Sequence, residues 1–89
     1  MKRLTIKVSG KVQGVFYRAT ANEFATQLGL TGIVRNERDG SVYLEAQGEE
    51  KAVDAFVEFC KKGPPRARVE SVLIEVAVLE KEDSFRVLR

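Results

Sequence analysis

From Thr31 to Gln47 the chain reads TGIVRNERDGSVYLEAQ, two runs of strand-forming residues flanking Asp39-Gly40. Val42, Leu44 and Ala46 alternate with polar neighbours, the pattern of a half-buried strand over 41–47. Residues 31–36 read as its partner, and Asp-Gly tolerates the positive φ of a tight hairpin turn. Upstream, Ala21, Phe24, Ala25 and Leu28 recur at helical spacing, with Gly29 as the stop. Before that helix, Leu4, Ile6 and Val8 alternate in a strand over 3–9. Downstream, Val53, Phe56, Val57 and Cys60 repeat the helical spacing. Glu49 and Glu50 near the start and Lys61 and Lys62 near the end suit the helix dipole, and Gly63-Pro64-Pro65 ends the helix. A long strand is expected over 69–79, with Val72, Ile74, Val76 and Val78 on one face, then a short one holding Phe85 and Val87.

The order is β-α-β-β-α-β with a short extra strand. Two βαβ halves joined by a hairpin predict an α+β, ferredoxin-like βαββαβ sandwich. Right-handed crossovers put both helices on one face of an antiparallel sheet, leaving the other face to solvent. One domain over residues 1–89 is expected at this length. The fold by itself decides no function.

Composition narrows the chemistry. The 89 residues contain no histidine, which excludes Ser-His-Asp and Cys-His catalysis. The single cysteine, Cys60, allows no internal disulfide and no Cys-rich metal site. It continues an apolar helical stripe and reads as a core residue. Fifteen Lys and Arg against thirteen Asp and Glu are too even a balance to point to nucleic acid. Residues 2–9 lack the continuous apolar run of a signal peptide, and no stretch is long enough to span a membrane. A soluble, cytoplasmic chain is the expectation.

The informative stretch is Gly10-Lys11-Val12-Gln13-Gly14-Val15-Phe16-Tyr17-Arg18, between the first strand and the first helix. Glycines allow backbone N–H groups to be aimed into one concavity, and a helix N-terminus adds unpaired N–H groups. Arg18 near that terminus opposes the dipole, a conflict an anion between them would remove. A glycine-containing turn with a solvated arginine is the plainer alternative, and spacing leaves both open. Val12, Val15 and Phe16 imply a packed loop. Asn36, flanked by Arg35 and Arg38, reads on residue type as a turn residue leading into the hairpin. Asp39 before Gly40 fits a turn role better than a base. Glu45, Glu70, Glu75, Glu80 and Glu82 read as solvated charges. Lys11, Arg35 and Arg38 serve either positive potential near the loop or solubility.

The stretch Gly10-x-Val12-Gln13-Gly14-Val15-x-Tyr17-Arg18 closely resembles the acylphosphatase signature. The second half of that signature is also present, as Gly32-x-Val34-x-Asn36-x-x-Asp39-Gly40-x-Val42. Gly63-Pro64-Pro65 and Phe85-Arg86-Val87 are similar to features of the same family. The resemblance runs from about Leu4 to Leu88. One departure is Tyr17, where the family more often has Phe; a buried hydroxyl there needs a partner.

The resemblance implies the same sandwich and hydrolysis of the carboxyl-phosphate bond of acyl phosphates, with no metal or cofactor. It implies that Arg18 and Asn36 are the catalytic residues. Arg18 and the loop residues Gln13, Gly14, Val15, Phe16 and Tyr17 would hold the phosphate, and Asn36 the attacking water. Phosphoryl transfer rests on positioning and charge stabilisation, so such a site works without histidine. The substrate phosphate would take the water's proton. Two alternatives remain. Related domains inside larger carbamoyl-transfer maturation proteins suggest a non-catalytic phosphate-binding module. An RNA-binding module would need exposed sheet aromatics. Phe16, Phe24, Phe56 and Phe85 fall at positions expected to be packed, leaving only Tyr43. No nucleic-acid or membrane partner and a monomeric state are expected.

Overall fold

Alternation in the first strand, β1 (Lys2–Lys11), buries Leu4, Ile6 and Val8 on one face. The computed structural model describes residues 1–89. It continues with α1 (Tyr17–Gln27), β2 (Thr31–Asn36), β3 (Val42–Gly48), α2 (Glu50–Lys62), β4 (Arg68–Ala77) and β5 (Phe85–Val87). The five strands form one sheet in the order β4-β1-β3-β2-β5. Register places Leu4 opposite Ala46, Ile6 opposite Leu44, and Val8 opposite Val42. Val34 faces Leu44 on the next strand. These residues form one apolar surface, covered by Tyr17, Ala21 and Ala25 of α1 and Val53, Phe56, Val57 and Cys60 of α2. Each large side chain buried there contributes roughly 1.5–3 kcal/mol.

Four strands pair antiparallel, as expected, but β5 runs parallel to β2 and makes the sheet mixed. The chain reaches β5 by a connection from the far edge, β4, so β5 enters in β2's direction. The end of α1 is a Schellman motif, in which Leu30 N–H donates to Ala25 and Gly29 N–H to Thr26. Gly29 takes φ 72°, the left-handed conformation that motif requires.

The second face of the sheet is not left wholly to solvent. Arg3 points to that side and is only 2% exposed. Glu45 accepts from its Nη2, Glu82 lies 2.5 Å from Nη1, and Gln47 accepts from Nη1 at 3.2 Å. Gln47 also exchanges two hydrogen bonds of 2.8 Å with the backbone of Glu80. The β4–β5 connection therefore lies across this face and is clamped there. Glu45 and Glu82 are partners of a buried arginine, not solvated charges. Strand alternation reports which face a residue takes, not which loop later covers it.

Three other expectations are corrected. Val72, Ile74 and Val76 share the face of Leu4, Ile6 and Val8, but β4 is an edge strand and Val76 is 86% exposed. Val78 lies beyond the strand and is also exposed. Phe24 is partly exposed because it leans toward α2, stacking on Phe59 at 4.9 Å rather than entering the sheet interface. Phe16, expected to pack with its loop, is 69% exposed.

Candidate active site

The β1–α1 loop is held from within and from across the sheet. Val12 and Val15 are buried and anchor it in the core. The Gln13 amide Nε2 donates to the carbonyls of Glu37 and Ser41 at 2.8 and 2.9 Å. Those carbonyls lie in the β2–β3 hairpin, immediately after Asn36. One side chain thus ties the loop to the segment that carries Asn36. The hairpin itself is braced by Asp39, whose Oδ1 accepts from the Ser41 backbone and hydroxyl. Its Oδ2 pairs with Lys7 at 2.8 Å. The bond from Lys7, then those from Ser41, hold the Asp39 carboxyl well below the usual carboxylate range. That is a turn role.

Gly14 (φ 74°) and Phe16 (φ 64°) both adopt positive φ and turn the loop sharply. Phe16 is the residue preceding the first turn of α1, and no side chain caps that end. No acidic residue lies in the first turn, whereas α2 has Glu50 there. No backbone N–H from Gln13 through Arg18 donates to a carbonyl or side chain of the protein. Backbone N–H groups ordinarily find partners, so a consecutive run of free donors is chemically able to take up an anion.

Arg18 sits on the first turn of α1. Its Nη1 donates to the Leu88 carbonyl at 3.1 Å, leaving the other guanidinium donors free. Asn36 ends β2 on the helix side of the sheet, in register with Val42. Both side chains line a cleft of about 580 Å³ together with Gly14, Phe16 and Tyr17. Tyr17 lies at the cleft floor, almost wholly buried, and its hydroxyl donates to the Cys60 carbonyl at 2.7 Å. Burial, followed by that contact, pushes its phenol far above the ordinary range. The extra hydroxyl therefore has its partner. Cys60 is a core residue, and burial pushes its thiol up to about 12.

The cleft thus joins Arg18 and Asn36, which lie on different elements. Gln13 and Val15 are not in its wall; the Gln13 side chain positions the loop, and that of Val15 packs beneath it. Lys11, Arg35 and Arg38 are also outside it. Arg35 lies instead over the Tyr43 ring, 4.5 Å from its centre, and pairs with Glu37. Sequence reasoning missed Asn22, Glu23, Val87 and Arg89 of the wall, and the Leu88 carbonyl. Asn22 could have been placed by its i+4 spacing from Arg18, and Glu23 by the same spacing from Ala19. The tail residues carried no signal, because only the parallel pairing of β5 brings them alongside α1.

The acylphosphatase family model matches residues 4–87. The chain belongs to the acylphosphatase family. An acylphosphatase of Methylococcus capsulatus is 50% identical over 90 residues, spanning 100% of this chain and 98% of the relative. The structure of an acylphosphatase from Coxiella burnetii superposes with a TM-score of 0.94 at 41% identity, covering 98% of this chain and 92% of that one. That of the Bacillus subtilis acylphosphatase gives 0.96 at 34% identity, over the full length of both chains. These likenesses bear out the sandwich predicted from the hairpin and its flanking helices.

Proposed function

We propose that the acyl-phosphate hydrolysis of this acylphosphatase-family chain runs on Arg18, Asn36 and the loop N–H groups from Gln13 to Arg18. The observation that carries this reading is the cleft itself. It gathers the two side chains beside a run of backbone donors that have no partner in the protein.

The phosphoryl group is held by the loop N–H groups and by the Arg18 donors not engaged with Leu88. As the bond to the carboxyl oxygen lengthens, charge is redistributed over the phosphoryl oxygens, and these fixed donors stabilise it. The leaving group is a carboxylate, which departs without a proton. Asn36 orients water through its amide, on the side from which it attacks phosphorus. An amide is not a base at neutral pH, so the water's proton passes to a phosphate oxygen of the substrate. Carboxylate and inorganic phosphate leave. The reading has the chain working as a cytoplasmic monomer on a small-molecule substrate, with inorganic phosphate as a competing ligand of the loop.

Two observations weigh against the alternatives. The Methylococcus relative is matched at 50% identity over 98% of its own length, whereas full-length HypF is matched at 26% identity over 12% of its chain, which favours the small enzyme over the module. The Tyr43 ring is covered by Arg35, and its hydroxyl donates to Glu45, which leaves no free sheet aromatic for a base to stack on.

The test is hydrolysis of benzoyl phosphate in EDTA by the wild-type chain and by folded Arg18→Ala and Asn36→Ala variants. Turnover should persist in EDTA. Arg18→Ala should lose binding and turnover together. Asn36→Ala should keep phosphate binding and lose on the order of 10²–10³-fold in kcat, the scale of one preorganised donor. Undiminished turnover in Asn36→Ala would remove the water-positioning role.

A further inference from the structure

Phe16 carries two costs at one position. It is the only residue other than glycine with positive φ, a conformation that strains a side chain with a Cβ by about 1–3 kcal/mol. Its ring is also 69% exposed, while every other phenylalanine packs against another aromatic ring. A glycine at position 16 would remove both costs and keep the backbone turn. The conformation is nevertheless held firmly. The Phe16 carbonyl accepts from both the N–H and the hydroxyl of Thr20, at 3.1 and 2.8 Å. The ring therefore stands from a fixed backbone in the wall of the cleft, where Val12, Ala19 and Val87 supply further apolar surface. A phosphate needs donors and gains nothing from such a wall. The acyl group attached to it does.

We propose that Phe16 is a specificity-determining residue, whose ring packs against the acyl group and selects acyl phosphates with an aromatic or bulky apolar acyl part over short polar ones. This rests on the assignment of the cleft as the phosphate-holding site. The ring's edge and face suit an aryl acyl group, an arrangement generally worth a factor of about three to ten in affinity. Nothing covalent is asked of Phe16; its backbone N–H serves the phosphate and its side chain the acyl group.

The experiment pairs two readouts. Dissociation constants are measured for benzoylphosphonate and acetylphosphonate, which the chain cannot hydrolyse in the same way. The ratio of kcat/KM for benzoyl phosphate to that for acetyl phosphate is measured alongside. Wild type is compared with Phe16→Gly and Phe16→Asn, which both tolerate positive φ. The benzoyl preference should appear in wild type and fall about three- to ten-fold in both variants. A ratio unchanged in both variants overturns the proposal. So does an equal loss for both acyl groups, because that is damage to the loop backbone. If wild type hydrolyses neither substrate but still binds benzoylphosphonate preferentially through Phe16, the hydrolysis reading fails and the acyl-group role stands.

Discussion

Arg18 Nη1 donates to the carbonyl oxygen of Leu88 at 3.1 Å, and the Leu88 N–H donates in turn to Val34 at 2.8 Å. The guanidinium is thereby referenced to β2, the strand that ends in Asn36. Two residues assigned to one reaction are held in one frame by a single residue of the tail. Preorganisation of this kind matters because a long, flexible arginine loses rotamer entropy on binding unless it is already oriented.

Leu88→Pro removes the N–H that anchors the tail while leaving a carbonyl at the same position. The Arg18 side chain should become less ordered. KM for benzoyl phosphate should rise about three- to ten-fold, the equivalent of one neutral hydrogen bond. Steady-state kinetics on the folded variant decide this, and an unchanged KM shows that Arg18 needs no support from the tail.

Gln13 acts through geometry. Its amide spans the Glu37 and Ser41 carbonyls, so Gln13→Leu leaves two partly buried acceptors without that donor. Each lost bond costs about 1 kcal/mol, and thermal unfolding should show a loss of about 2 kcal/mol in total. Beyond stability, kcat should fall more than KM rises, because loop and Asn36 move apart. Gln13→Glu cannot donate where the amide did and should behave like Gln13→Leu. A variant that loses stability yet keeps wild-type kcat limits Gln13 to scaffolding.

Glu23 is the carboxylate in the cleft wall, and it tests where the proton goes. If the substrate phosphate accepts it, Glu23→Gln should keep kcat within about two-fold, since general-base removal ordinarily costs 10²–10⁴-fold. With no histidine in the chain, no enzyme group with a histidine-like pKa should titrate in the pH–rate profile between about 5 and 8. A large loss in Glu23→Gln would make that carboxylate the base.

Protonation of Glu45 and Asp39 should weaken the fold in acid. Burial opposes ionisation of Glu45, but bonds from Tyr43 and Arg3 outweigh it and hold its carboxyl below the usual range. Asp39 is lowered too, by Lys7 and Ser41. A depressed folded pKa means stability that is present above the unfolded value near 4 and is lost as pH falls through the folded one. Stability should therefore decline below about pH 4, and Glu45→Gln should flatten that decline. Arg3→Ala at neutral pH strands Glu45 and Glu82 and should cost about 3 kcal/mol, with Arg18 and Asn36 undisturbed. Urea unfolding at several pH values measures both effects.

Much of the proposed site was legible because its parts are local. The Gly14 turn, Arg18 on the first helical turn and Asn36 before the hairpin are all carried by short motifs. What local pattern could not supply was orientation. The apolar character of Phe16 suggests a packed position, yet its residue takes a positive φ and its ring stands exposed in the cleft wall. Charge alone made Glu45 and Glu82 look solvated, when the loop that carries Glu82, more than thirty residues beyond Glu45, folds back and brings both to Arg3.

Local pattern carries the elements, their order, the apolar face each strand and helix presents, and the signature that places the chain among acylphosphatases. Those properties follow from steric preferences and periodicities that act over a few residues. The parallel course of β5 beside β2, the tail's hold on Arg18, the Gln13 staple between the loop and the Asn36 hairpin, and the burial of Arg3 beneath the β4–β5 connection arise in the assembled fold. Each of these joins residues far apart in the chain. Such contacts form only once burial of the shared core has paid the entropy of closing the loops between them.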